Sequence, residues 1–319
     1  MRRWLMLLPL SCLLLTAVAQ SGKPLRVMAW NVENLFDTLH DEGFHDEEFL
    51  PQSERHWTSH RYWQKLTEMA KVIAAAAEDG GVPDLIGLCE VENDSVLTTF
   101  TKKSILRQLR YNYVMTQCED ERGIDVALLY QPARFRLLEH RSIRVPSREA
   151  GLRPTRDILY AKGLVFASGS VGGVDTLHVL VVHLPSRAGG HEGDQNRRLA
   201  ARTLWEVVDS IPSPHILVMG DFNADGRDRI FKGAPLRITD DPKAAGTYCY
   251  QGMWQWLDHI LVSSSLSCNG NARPLSFPWL LEENRSSGGQ MPRRTFRGST
   301  YHGGISDHLP LILDIHTLQ

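Results

Sequence analysis

The chain has 319 residues, of which 42% are hydrophobic and 23% charged, with a formal net charge of −2. That is globular composition, long enough for one large domain, and it excludes a disordered or fibrous chain. The acidic balance argues against a protein that holds nucleic acid by a uniformly basic surface.

At the N-terminus Arg2 and Arg3 precede an apolar run from Trp4 to Val18, and Ala17-Val18-Ala19 offers small residues for cleavage. This is the layout of a secretory signal over residues 1–19, too short for a comfortable spanning helix. Cys12 after Leu10-Ser11 makes a lipid anchor the weaker reading. Residues 20–319 then form a single exported domain, periplasmic or secreted, with no integral membrane segment, expected as a monomer. Cys89, Cys118, Cys249 and Cys268 remain, without a disulfide framework or a CxxC zinc pattern.

Strand-like runs follow in order: Leu25–Val32, Asp84–Val91, Asp125–Tyr130, Gly163–Ser168, Thr176–Leu184, His215–Gly220, Leu257–Ser263 and Leu309–Ile315. Several are apolar on both faces, as in strands buried between layers. Two segments carry helical periodicity, His60–Ala77 and Gly193–Ile211, the second with Asp194 as a candidate cap. Strands outnumber helices, which predicts a layered α/β domain with two central sheets. Two long loops stand out. Residues 37–59 are rich in Asp, Glu and His, and residues 265–304 in Gly, Pro, Arg and Ser.

The polar residues gather where strands end. "AWNVEN" carries Asn31, "CEVEN" carries Glu90, "VVHLPSR" carries His183 and Arg187, and "MGDFNAD" carries Asp221 and Asn223. "QWLDHI" carries Asp258, and "SDHLP" carries Asp307 and His308. A single acid at a strand end is ordinary turn chemistry. The set as a whole offers hard oxygen ligands, amides and imidazoles, with no GxSxG nucleophile elbow and no HExxH zinc motif. Such donors suit Mg²⁺, which keeps several waters and completes its shell with phosphate oxygens. Imidazoles add proton transfer, and the chemistry that needs both is in-line attack of water on a phosphate ester.

These segments, in this order, resemble the endonuclease/exonuclease/phosphatase superfamily, as an exported bacterial-type, deoxyribonuclease-I-like member. The resemblance runs from about Leu25 to Ile315. It implies a four-layer α/β sandwich, two central mostly antiparallel or mixed sheets flanked by helices. It also implies divalent-metal phosphoester hydrolysis, with Mg²⁺ as the usual ion and Mn²⁺ or Ca²⁺ as substitutes. By the same resemblance, Glu90, Asn31 and Asp307 are metal-site residues, and Asp221 with Asn223 orients water and phosphate. His308 is the catalytic histidine, oriented by Asp258, and His183 is a second histidine and candidate general acid. Either Asp221 or His308 serves as base. Glu121 or Asp125 is a candidate partner for His183, and Arg122 and Arg187 are candidate phosphate contacts. His259 is expected to be structural.

The leading substrate is nucleic acid, cleaved as by an endonuclease. Arg197, Arg198, Arg202, Arg293, Arg294 and Arg297 could track a backbone, and Trp254, Trp256, Phe296 and Tyr301 could stack on bases. The alternatives are an exported phosphatase or phospholipase-C-like esterase acting on inositol phosphate or sphingomyelin, and a catalytically silent binding protein.

Overall fold

A computed structural model describes residues 23–77, 81–166 and 174–317. The expected signal segment at 1–19 lies outside the described residues. In chain order the strands are β1 (Leu25–Leu35), β2 (Leu85–Val91), β3 (Asn112–Met115), β4 (Asp125–Tyr130), β5 (Phe135–Ile143), β6 (Ile158–Phe166) and β7 (Val174–His183). They continue as β8 (Ile216–Asp221), β9 (Arg237–Ile238), β10 (Tyr248–Tyr250), β11 (Met253–Gln255), β12 (Asp258–Val262), β13 (Leu266–Cys268) and β14 (Arg273–Pro274). The late loop adds β15 (Leu281–Glu283), β16 (Gln290–Pro292), β17 (Phe296–Arg297) and β18 (Thr300–Tyr301) before β19 (Leu311–Thr317). The helices are α1 (Ser59–Ala75), α2 (Asp94–Thr98) and α3 (Gly190–Ser210), with short single turns between elements.

One sheet runs β13-β19-β1-β2-β4-β3, with β14 also on β19. The other runs β5-β6-β7-β8-β12-β9. Only β1 with β2 and β7 with β8 pair in parallel; the remaining neighbours in both sheets are antiparallel. Each parallel pair is joined through a helix, α1 in the first sheet and α3 in the second.

Strand alternation builds the layers. In β1, Val27 and Ala29 face the second sheet and pack with Val179, Val181, Leu217 and Met219. Met28 and Trp30 point the other way, into a core shared with Leu66, Met69 and Ile73 of α1. On the outer face of the second sheet, Leu180, Val182 and Val218 pack with Leu204 and Val208 of α3. The order is helix, sheet, sheet, helix, the expected four-layer sandwich. Both sheets are therefore buried on both faces, which is why the strands read as near-continuous apolar runs.

Three expectations are corrected in detail. Helix α3 begins at Gly190, and Asp194 lies inside it, paired with Arg197 at 2.9 Å and Arg198 at 2.8 Å rather than capping. Of the strand expected at Gly163–Ser168, residues 163–166 belong to β6, which starts earlier at Ile158, and 167–168 lie outside the described residues. The late loop is not structureless, because β13 to β18 run through it. Cys89, Cys118, Cys249 and Cys268 are free. No described helix is long and apolar enough to cross a membrane.

Candidate active site

Ligands in open α/β sheets bind beyond the carboxyl ends of parallel strands. Here the carboxyl ends of β1, β2, β7 and β8 bring Asn31, Glu90, His183 and Asp221 to one cleft of about 480 Å³. Asn223, Asp307, His308, Arg122 and Arg187 line it as well. Register sets a row across the second sheet: His183 of β7 and Asp258 of β12 each lie directly beside Asp221 of β8.

Local backbone aims these groups. Glu90 is the one residue of β2 skipped in the pairing with both neighbours, between Cys89 and Val91, and has φ +65°. Such a bulge turns its side chain out of the sheet. Glu33 (φ +51°), Asn34 (φ +55°) and Asn223 (φ +49°) are also left-handed. Non-glycine residues cost energy there, and such strain gathers at functional sites. Before Asp221, Gly220 has φ +139°, and a Cβ would lie 2.0 Å from the Val182 carbonyl oxygen. Only glycine lets β8 pass β7 at that point.

Asn31 Nδ2 donates to Asp221 Oδ2 at 3.0 Å and to Glu90 Oε1 at 3.2 Å. The Asn34 amide donates to Glu90 Oε2 at 2.8 Å, and the Asn223 amide to Asp221 Oδ1 at 2.8 Å. His308 Nδ1 lies 2.7 Å from Asp258 Oδ2, which also accepts from Thr247 Oγ1 at 2.6 Å. His308 Nε2 points toward Asp221 Oδ2 at 4.0 Å. Burial opposes charge on His308, but Asp258, with help from Asp221 and Asp307, holds its pKa well above the usual histidine value. Burial, reinforced by Asp258, pushes Asp221 up to about 7.

His183 differs. Its Nε2 lies 3.7 Å from Asp221 and 3.9 Å from Glu90. Its Nδ1 is buried without a partner among the described residues. Neither Glu121 nor Asp125 partners it; Asp125 accepts from Thr116 Oγ1 and the Cys118 amide instead. Burial, then Arg156 and Arg122, drives His183 well below the usual histidine pKa, so it is neutral.

Asp221, Asp258 and His308 bring ligand atoms within 4.8 Å of one another. Their hydrogen bonds point to a proton relay rather than a metal cage, since Nδ1 of His308 is spent on Asp258. The donors that suit a hard cation are Glu90, Asn31 and Asp307. Glu90 is the least buried of the Glu90, His183 and Asp221 group, and no thiol lines the cleft. Glu33 lies beside them, its pKa lifted to about 7 by burial and by Asp307. These hard oxygen donors, with no thiol beside them, fit a hard divalent cation such as Mg²⁺.

Arg156 and Tyr248 carried no motif signal, while Glu33 sat in a quoted motif and Arg294 was expected only on a nucleic-acid track. Arg156 donates to the carbonyls of His183 at 3.3 Å and Leu184 at 3.0 Å, and is paired with buried Asp120 at 3.2 Å. Arg294 bonds Asp307 at 2.8 Å and lies 3.5 Å from Glu33. The Glu33 carboxylate accepts from the Thr295 amide at 2.7 Å and the Phe296 amide at 3.2 Å, tying the late loop to β1. Tyr248 packs its ring 4.9 Å from that of His308. The Arg122 guanidinium bonds Asn34 Oδ1 at 2.6 Å, and Arg187 bonds the Asn223 carbonyl at 3.0 Å. His259 is structural as expected, fully buried between Asp240 and the Ala224 carbonyl.

Much of the expected backbone track is used within the protein. Arg197 is buried, Arg198 is paired with Asp194, and Arg297 is paired with Glu282. Phe296 packs edge-on against Tyr301, and Trp256 stacks on His259.

Comparison with solved structures shows the same fold at low identity. The human Nocturnin catalytic domain with bound sulfate aligns at 20% identity over 93% of this chain and 95% of that one, TM-score 0.57. TDP2 from D. rerio, complexed with single-strand DNA product, aligns at 16% over 92% and 99%, TM-score 0.58. A mannosyl-6-phosphatase from Bacteroides thetaiotaomicron aligns at 16% over 91% and 99%, TM-score 0.58. No curated protein matches the sequence. The model of the Endonuclease/Exonuclease/phosphatase family matches residues 26–317, nearly the whole described chain. Fold and family model agree, and the chain belongs to the endonuclease/exonuclease/phosphatase family, whose members hydrolyse phosphoesters.

Proposed function

We propose that this protein hydrolyses a phosphoester by in-line attack of water, with Mg²⁺ held by Glu90, Asn31 and Asp307. The observation that carries the reading is the row Asp258–His308–Asp221 facing Glu90 across one cleft. When bound, the cation neutralises charge on the phosphoryl oxygens. Asp221, whose pKa is lifted to about 7, takes the proton of the attacking water. His308, held protonated by Asp258, donates from Nε2 to a phosphoryl or leaving oxygen. His183 is held neutral by burial and lacks a carboxylate partner at Nδ1 among the described residues, so it acts as a hydrogen-bond donor through Nε2 rather than as the general acid. Arg122 and Arg187 set the phosphate's position, and Arg156, paired with Asp120, holds the turn that presents Arg122.

A compact ester or a strand end suits the cleft better than a long duplex, because the arginines expected to track a backbone are largely paired or buried. Export of residues 20–319 as a monomer is part of the same proposal. The test is turnover of a phosphoester panel with Mg²⁺ and with chelator. Turnover that survives complete metal removal refutes the mechanism.

A further inference from the structure

The hairpin β10–β11 ends at the cleft and is used by nothing in the chemistry above. Tyr248 and Tyr250 sit two residues apart on β10, hence on one face, and both line the cleft. Tyr248 lies against the His308 ring, 4.9 Å between centroids. Tyr250 is 52% exposed. Two strand residues advance about 6.8 Å. The Tyr250 position therefore lies that much farther along β10 than Tyr248, the residue against His308.

The hairpin is a fixed part, not a loose tip. Its turn residues Gln251 (φ +49°) and Gly252 (φ +80°) are both left-handed, the pattern of a type I′ turn. A Cβ on Gly252 would lie 2.5 Å from Ser287 Oγ, so the turn is seated on the late loop. Gln255, which pairs with Tyr248 across the hairpin, accepts from Arg187 at 3.1 Å. The same arginine reaches the Asn223 carbonyl. The hairpin is thus tied to the phosphate side of the cleft through one guanidinium.

An exposed ring pre-set at a cleft mouth offers a face for stacking. We infer that Tyr250 is a specificity-determining residue, and that the substrate is a phosphoester carrying a ring about one group removed from the phosphate. This rests on the hydrolase reading for the position of the phosphate. A nucleobase and a sugar share the required chemistry, a flat or nearly flat apolar face.

The test is binding, not turnover. Thymidine 5′-monophosphate, glucose 6-phosphate and glycerol 3-phosphate are titrated calorimetrically into the full chain with Mg²⁺. At least one ring-bearing ligand should bind roughly tenfold tighter than glycerol phosphate, the scale of one stacking contact. Which ring it is names the source. Tyr250→Ala should abolish that preference and leave glycerol phosphate affinity unchanged, which also shows that the variant is folded. Tyr250→Phe should keep it. Equal affinity for all three ligands, binding of none, or a preference that survives Tyr250→Ala overturns the inference. Tyr250-dependent binding without turnover of any ester would sink the hydrolase reading and leave this one standing. Turnover without ring preference would do the reverse.

Discussion

His308 Nδ1 and Asp258 Oδ2 lie 2.7 Å apart, though the residues come from separate segments, β12 and the turn before β19. The pair is fully inside the protein on the aspartate side, with Thr247 Oγ1 closing the same oxygen. It fixes both the orientation of the ring and its protonation. His308→Ala should lower kcat by roughly a hundredfold or more, the usual range for a positioned acid or base. Asp258→Asn should lower kcat with a smaller change in KM, because it disturbs the proton and not the substrate contacts. Steady-state kinetics on the same substrate checks both. A drop of only two- or threefold in His308→Ala would end its catalytic assignment.

Glu90 is aimed into the cleft by a bulge and held by Asn31 and Asn34. Glu90→Gln keeps the shape and removes the charge. The Mg²⁺ concentration for half-activation should rise at least tenfold, read from activity against metal. An unchanged titration curve would refute the ligand assignment.

Arg156 and Asp120 are paired at 3.2 Å and both are about 8% exposed. Asp120 also accepts the Arg122 amide, so the pair anchors the turn that presents Arg122 to the cleft. Removing one partner of a buried pair costs roughly 3–5 kcal/mol because a charge is stranded. Arg156→Met should therefore lower the unfolding free energy by an amount on that scale, read from the denaturant midpoint and slope, and activity with it. A midpoint within error of the wild type would contradict the structural role.

His259 yields a pH prediction away from the cleft. Burial opposes its charge, but Asp240 at 2.7 Å overrules burial and raises its pKa above the usual value. For a base whose folded pKa is raised, the stabilisation is complete below the unfolded pKa, about 6.5, and is lost as pH climbs through the folded value. Asp240→Asn should therefore melt lower than the wild type at about pH 5.5, with the gap narrowing toward about pH 9. Thermal melts across that range check it. A gap that stays constant would show that the ring is neutral.

The strand-end polar residues were readable in the sequence because each parallel pair finishes at one edge: Asn31 and Glu90 on β1 and β2 of the first sheet, His183 and Asp221 on β7 and β8 of the second. Double-sided burial of the sheets made those strands visible as apolar runs. β5 was missed because it is an edge strand with mostly exposed charged residues, FRLLEHRSI, which show no apolar alternation. Arg156 was missed, and Glu33 and Arg294 were not placed beside the catalytic groups, for another reason. Their roles come from segments meeting across the fold, Glu33 with Thr295 and Arg156 with the β7 end. No local spacing records such meetings. Glu33 did sit in a quoted motif, and its left-handed backbone beside Asn34 is the feature that marks it. Neither candidate partner for His183 meets it among the described residues, for the same tertiary reason, since Asp125 turns its carboxylate to Thr116.

The most direct measurement is turnover of a panel by the purified chain: plasmid DNA, RNA, a simple aryl phosphodiester, an inositol polyphosphate, a sugar phosphate and sphingomyelin. Each is run with Mg²⁺ and with chelator, beside His308→Ala. Cleavage of at least one ester, dependent on metal and lost in the variant, is the expected result. Equal cleavage by His308→Ala, or none by the wild type on any ester while Mg²⁺ fails to bind, would contradict a metal-assisted hydrolase built on Asp258, His308 and Asp221.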